Sequence, residues 1–322
     1  MSAEPAALPP FRRRLVLFLL GLSLACNVAA LMLPFMNLRI AFKTEPYSLL
    51  SSATMMWHKG LYVLAALVIA FSVVFPFAKL ATLICVASGT TLGPVRQSIL
   101  RFVERLGKWS MLDVFLVCLI LTLTSGQLMV GSEPLIGMPL FVVAILLSMT
   151  SGELLTATLP HEDAEAHAKP PLSAGFWLLL SALALAGTLG LPFLRIDDWK
   201  LSDHTYSVIT LVPTLWKEDS HISAVIVALF LIVTPILAWL ASARWWWCRR
   251  ADLPAPLSHA RAKLMRRWSM LDVFGLALAI FLVEGEYLMK TEVRWGALFL
   301  VAMLALQKAF QFALDRALTK PA

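Results

Sequence analysis

Charged side chains set inside long apolar runs are the residues of this chain best able to do chemistry. Each is costly in hydrocarbon unless it is paired or wet. Lys79 stands eight residues from the end of one such run, roughly 12 Å deep at 1.5 Å per residue. Asp113 lies about a turn into the next run from the same side, and Glu153 about a turn from the end of the one after. A flexible lysine at that depth can reach either carboxylate. Together they can hold a polar headgroup or act as a protonation switch. Ser110-x-x-Asp113 and Ser269-x-x-Asp272 also have the form of capping boxes, with serine and aspartate serving the free amides at a helix start. Snorkelling of Lys79 towards the membrane face is a further reading. The site candidates are therefore Lys79, Ser110, Asp113, Glu153, Ser269 and Asp272.

Bond-breaking chemistry finds no such foothold. The sequence has no Gly-x-Ser-x-Gly, no His-Glu-x-x-His and no glycine-rich phosphate loop. Its four cysteines, Cys26, Cys85, Cys118 and Cys248, form no Cys-x-x-Cys pair. His161-Glu162-Asp163-Ala164-Glu165-Ala166-His167 reads as a solvated acidic linker between Pro160 and Pro170-Pro171, and Asp197-Asp198 as a solvated strand end. A protein without enzymatic activity, cofactor or metal is expected.

Composition says where these residues sit. Of 322 residues, 59% are hydrophobic and 15% charged, and mean hydropathy is +0.79. A soluble core of this size cannot hide that much apolar surface, so the chain belongs in a bilayer. Read against roughly 20 apolar residues per crossing, the sequence gives eight helical spans, near 15–34, 61–87, 109–129, 138–156, 175–193, 222–247, 268–285 and 296–314. The runs are continuously apolar rather than alternating, which favours helices over a barrel.

The spans repeat. Leu33-Pro34-Phe35 returns as Leu191-Pro192-Phe193 at an offset of 158, and Pro76 returns as Pro235 at 159. Trp109-Ser110-Met111-Leu112-Asp113-Val114-Phe115 returns letter for letter as Trp268 through Phe274, again at 159. Asp113 thus has a counterpart in Asp272, whereas Lys79 meets Ala238 and Glu153 meets Phe312. The expected fold class is an all-α integral membrane protein of two tandem, parallel four-helix repeats. A tail (1–14) precedes the first repeat (15–156), an acidic, proline-bearing linker (157–174) follows, and the second repeat covers 175–318.

Lys and Arg number 17 on the side of the termini and 8 on the other, which puts both termini in the cytoplasm. Arg12-Arg13-Arg14 before an apolar run has the order of a signal peptide. Its removal would break the match to the span ending at Pro192, so a retained helix is expected. Trp245-Trp246-Trp247 before Arg249 reads as an interfacial belt. On the outer side, Leu38 to Lys43 alternates with period two, and its partner begins Leu194-Arg195-Ile196. Each repeat is therefore expected to carry a small extracytoplasmic strand cap. Val95, Ile99, Phe102, Val103 and Leu106 share one side of a basic amphipathic helix, fit either to lie on the inner leaflet or to serve as an ordinary connector.

The doubled Trp-Ser-Met-Leu-Asp-Val-Phe, preceded by Lys108 in one copy and Arg267 in the other, resembles the paraquat-inducible protein A family, as do Leu-Pro near the first span's end and Pro76 followed by Lys79. The resemblance covers nearly the whole chain. It implies a bacterial inner-membrane protein with tetraspanin- or claudin-like four-helix units. It also implies a lipid transport role, passing membrane lipids to a periplasmic MCE-domain tunnel protein, with no nucleic-acid partner. The cytoplasmic Cys-x-x-Cys zinc ribbons of better-known members are missing from this sequence, so nothing zinc-dependent transfers. The leading expectation is a lipid transfer component in which a headgroup meets Lys79, Ser110 and Asp113. The alternatives are a proton- or ion-coupled small-solute transporter and a non-transporting scaffold that docks a periplasmic partner.

Overall fold

Long apolar runs in this chain become helices because a backbone surrounded by other apolar groups must satisfy its own N–H and C=O groups. A computed structural model describes residues 9–40, 43–58, 60, 62–89, 98–100, 102, 107–123, 130–156, 170–196, 204–217, 220–251, 253, 264–266, 268–285 and 291–319, apart from some side chains within them. The chain divides into two compact units, Met1–His161 and Glu162–Ala322. Among the described residues, six helical stretches are long and apolar enough to cross a membrane. They are Pro10–Met32, Ile69–Ser88, Gly137–Thr156, Leu172–Gly190, His221–Arg250 and Trp295–Leu314. The runs read as spans three and seven are helical over Leu112–Leu123 and Leu271–Gly285, 12 and 15 residues. Over the described residues both are shorter than the bilayer ruler.

In the first unit, α1 (Pro10–Met32) packs chiefly on the helix Gly137–Thr156 and also on Phe75–Ser88. Small side chains make the first seam: Ser23, Asn27 and Ala30 on one helix, Ala144, Ser148, Ser151 and Gly152 on the other, all buried. Ser23 Oγ donates across the seam to the Ala144 carbonyl at 2.7 Å. Close backbone approach and hydrogen bonds are what hold helices together where lipid removes the hydrophobic difference between inside and outside. At one end, Arg13 Nε and Nη2 donate to the Ala87 and Ser88 carbonyls at 3.1 and 2.7 Å. A cation thereby closes the negative end of the neighbouring helix.

At the other end, β1 (Met36–Ile40) is the centre of a three-stranded antiparallel sheet, with β2 (Lys43–Tyr47) and β3 (Val130–Pro134) on its edges. The second unit repeats this arrangement with β4 (Leu194–Ile196) between β5 (His204–Tyr206) and β6 (Thr291–Val293). The alternating run 38–43 is thus not one strand. It is shared between β1 and β2, with residues 41 and 42 outside the described residues. The third strand of each sheet comes from a short loop that offers too few residues for an alternation to show.

The repeat extends to single bonds. Gly137 N–H donates to the Pro34 carbonyl and Gly296 N–H to that of Pro192, at 3.2 and 2.9 Å. Ser48 pairs with Ser51 at a helix start as Ser207 pairs with Thr210. Most telling are two six-residue π-helical turns, Ile69–Val74 and Ala228–Val233. Pro76 and Pro235 come one residue beyond them, after Phe75 and Thr234; proline has no N–H to give and its ring crowds the preceding turn. The helix widens there, so that Phe75 N–H bonds to Ala70 O and Thr234 N–H to Leu229 O, five residues back.

Other sequence expectations resolve differently. Of the three consecutive tryptophans, only Trp247 is well exposed, at 66%. Trp245 is buried with Ala174, Leu178 and Phe310, and Trp246 Nε1 donates to the Pro171 carbonyl at 3.3 Å. The Trp246 indole N–H thus has its partner within its own unit. Of the amphipathic segment 94–106, only residues 98–100 and 102 are described, and they are helical. There Ile99 and Phe102 are exposed, while Leu100 is buried with Leu20, Leu80 and Leu83. The linker residues 157–169, Asp197 and Asp198 lie outside the described residues.

Candidate functional site

Lys79 sits three residues past Pro76, on the helix Phe75–Ser88 that leaves the first π turn. Only 3% of it is exposed. Its ammonium does not run along the helix to an open end, as a snorkelling lysine would. It turns inward, and Nζ donates to Ser148 Oγ at 2.9 Å, on the helix Gly137–Thr156. Ser148 Oγ in turn donates to the Ile145 carbonyl at 2.8 Å. The hydroxyl proton is thus committed, and an oxygen lone pair faces the ammonium. A third element closes the place. A Cβ built on Gly107, which opens the 3₁₀ turn Gly107–Met111, would lie 3.1 Å from Lys79 Nζ.

Three segments far apart in sequence therefore meet around one buried cation. A charge held in so apolar a setting costs several kcal/mol unless its N–H groups are satisfied, and the bond to Ser148 satisfies one of the three. Ser72 stands two turns earlier, inside the π segment. It is buried at 1% exposure, and its Oγ has no hydrogen-bond partner among the described residues. A buried, unsatisfied hydroxyl is a place for a bound polar group or water. In the second unit the same position is Leu231, buried and apolar.

Of the residues singled out from sequence, Glu153 lies on the same helix as Ser148 and is half-buried. The backbones of Ser110 and Asp113 belong to the 3₁₀ turn and the helix that follows it, so the first is placed just beyond Gly107. Their side chains lie outside what is described. In the second unit, Ser269 is buried and Asp272 half-buried. The helix starts at Leu271, so Ser269 precedes the capping position. Asp272 Oδ1 accepts the Val273 N–H at 3.0 Å, a carboxylate serving a free amide of the first turn. Ser148 and Ser72 escaped the sequence reading. Serines that bond back to a carbonyl of their own helix are common in apolar helices, and nothing in spacing separates these two from the others.

A protein-family model described as "Paraquat-inducible protein A" matches this chain twice, over residues 14–163 and 174–319. The two matches fall one in each compact unit. No curated protein and no solved structure matches the chain.

Proposed function

We propose, from the premise that this chain belongs to the paraquat-inducible protein A family, that it transfers amphiphiles between the bilayer and a periplasmic MCE-domain partner, without breaking bonds. It is a membrane-type protein with several apolar helices. One observation carries the reading: a lysine 3% exposed, bonded to a serine, within helices whose outer faces are apolar. Phe18, Leu22 and Val28 on α1 leave such a face open for acyl chains. The cation and the Ser72 hydroxyl supply the polar end that a headgroup needs. An apolar surface beside an enclosed polar place suits a molecule having both characters.

The two shorter helices complete eight crossings in this reading. The first of them leads towards β3, which pairs with β1 at the end of α1, so each unit passes its chain four times between the same two ends. The sheets face the periplasm and both termini the cytoplasm of the inner membrane, following the Lys and Arg excess. Impermeant maleimide on whole spheroplasts tests this, using single cysteines in a background lacking the native four. Pro46→Cys and Glu292→Cys should label before lysis and Leu253→Cys only after it, all three being exposed positions. The opposite pattern inverts the topology and removes a periplasmic partner.

The transfer itself is tested in proteoliposomes holding the full chain and a fluorescent phospholipid. Delivery to the soluble MCE-domain partner above the protein-free rate is the expected result. Solute uptake that collapses with the proton gradient, with no lipid delivered, would replace this reading by a coupled transporter. Absence of both activities would leave a scaffold.

A further inference from the structure

A short helix follows the second strand of each sheet, Leu49–His58 in the first unit and Val208–Lys217 in the second, 10 residues each. At 1.5 Å per residue that is about 15 Å, roughly half of a bilayer core, so neither helix can cross one. In the second unit Val208, Leu211 and Leu215 are buried, and the helix packs on Leu172–Gly190 and on the start of the span His221–Arg250. Its opposite face is not the polar one that a helix lying in water presents. Ile209, Pro213 and Trp216 share one stripe at helical spacing, and all three are exposed. In the first unit Leu50 and Trp57 stand 159 positions before Ile209 and Trp216, and they are exposed as well.

Each tryptophan is tied to the span that follows. Trp57 meets Tyr62 edge-on, with ring centroids 5.0 Å apart, and Trp216 lies against His221 at 4.5 Å. Tyr62 and His221 are again 159 positions apart, and each opens the helical stretch that leads into a π turn. The contact still leaves Trp57 53% and Trp216 54% exposed. An indole with an apolar body and a polar N–H suits the headgroup level of a membrane, and Lys217 puts a cation directly beside one of the two. Depth follows from Pro213, which has no N–H for the Ile209 carbonyl. That acceptor finds donors among headgroups and water, not among acyl chains. The identity of the covering surface follows from the next residues. Beyond His221 the span presents Ile222, Val225 and Leu229, all exposed, so the stripe adjoins a surface that lipid must cover.

We propose that both short helices lie in the bilayer interface on the side of the sheets, with Leu50 and Trp57 of one unit and Ile209, Pro213 and Trp216 of the other sunk to headgroup depth. What covers the exposed stripe is lipid of that leaflet. The placement requires only that the long helices cross a membrane. It holds whichever face is periplasmic, and whether or not lipid is transferred.

The test puts a nitrobenzoxadiazole dye on single cysteines, Leu50→Cys and Ile209→Cys, in the full chain lacking the native four. Both replace exposed side chains, so the fold does not depend on them. The chain is reconstituted in vesicles of phosphatidylcholine and phosphatidylglycerol. Pro46→Cys on the sheet and Val233→Cys within the span, both exposed, are the references for water and for hydrocarbon. Three quenchers are compared: a lipid nitroxide at the headgroup, a lipid nitroxide near the end of the acyl chain, and aqueous iodide on both sides of the membrane. At both test positions the headgroup nitroxide should quench at least about twofold more than the chain-end one, and iodide less than about half as well as at Pro46→Cys. Iodide quenching equal to that at Pro46→Cys, without quenching by either lipid, puts the stripe in water and overturns the proposal. Strongest quenching by the chain-end nitroxide puts it in the hydrocarbon core and overturns the depth. Protection from all three quenchers means that protein, a second copy included, covers the stripe, and overturns the choice of lipid. The expected pattern at one position alone overturns the proposal for the other unit.

Discussion

Lys79→Ala should cut lipid delivery by at least about tenfold while the protein still inserts, purifies and elutes as the native chain does. The two halves of that expectation have separate causes. Ser148 keeps its bond to the Ile145 carbonyl without the lysine, so the helix that supplies the hydroxyl keeps its local geometry. The fold therefore stands. Binding loses a charge-assisted hydrogen bond, worth about 1.5–3 kcal/mol, or roughly one to two decades in affinity. Delivery by the alanine variant should fall by at least about tenfold in proteoliposomes, and the variant should fail to complement a deletion strain. Ser148→Ala keeps the cation and should lose less. Full complementation by Lys79→Ala removes the buried cation from the mechanism.

Gly296→Ala should unfold the second unit's turn, whereas Gly21→Ala should be tolerated. A Cβ at Gly296 would meet the Leu191 oxygen at 2.4 Å and the Pro192 oxygen at 2.7 Å. Both are backbone atoms that cannot rotate aside, and Gly296 N–H is bonded to the same Pro192 carbonyl at 2.9 Å. Relieving the clash means parting the start of the helix Trp295–Thr319 from the end of Leu172–Gly190, the two helices that pack most closely in that unit. It also strains the pairing of β4 with β6. A cost of about 3 kcal/mol or more is expected, in the class of severe backbone strain. Gly21 lies mid-helix with open space around its Cβ position, and alanine there should be worth up to about 1 kcal/mol in its favour. Thermal unfolding followed by size exclusion separates the two. Equal melting temperatures would mean that the turn yields at no cost. Gly137→Ala in the first unit, at 2.7 Å from the Pro34 oxygen, should act in the same direction.

The sequence alone determined the class and the duplication. Apolar content decides the solvent in which a chain can fold, and a letter-for-letter repeat at one offset needs no coordinates to be seen. The central strands of both sheets were legible at Leu38 and Leu194, because alternation is a local property. The π turns before Pro76 and Pro235 were hidden although the prolines were plain, since how a helix relieves a missing N–H depends on what packs around it.

Tertiary structure decided what surrounds the buried charge. Lys79, Gly107 and Ser148 come from three segments, and no periodicity links them; only packing brought an ammonium, an empty Cβ position and a hydroxyl to one place. In the second repeat, position-by-position matching sets Lys79 against Ala238, which is buried and carries no charge. A sequence repeat preserves residue order, but what surrounds a buried charge is assembled from several segments, and order alone does not specify how they meet.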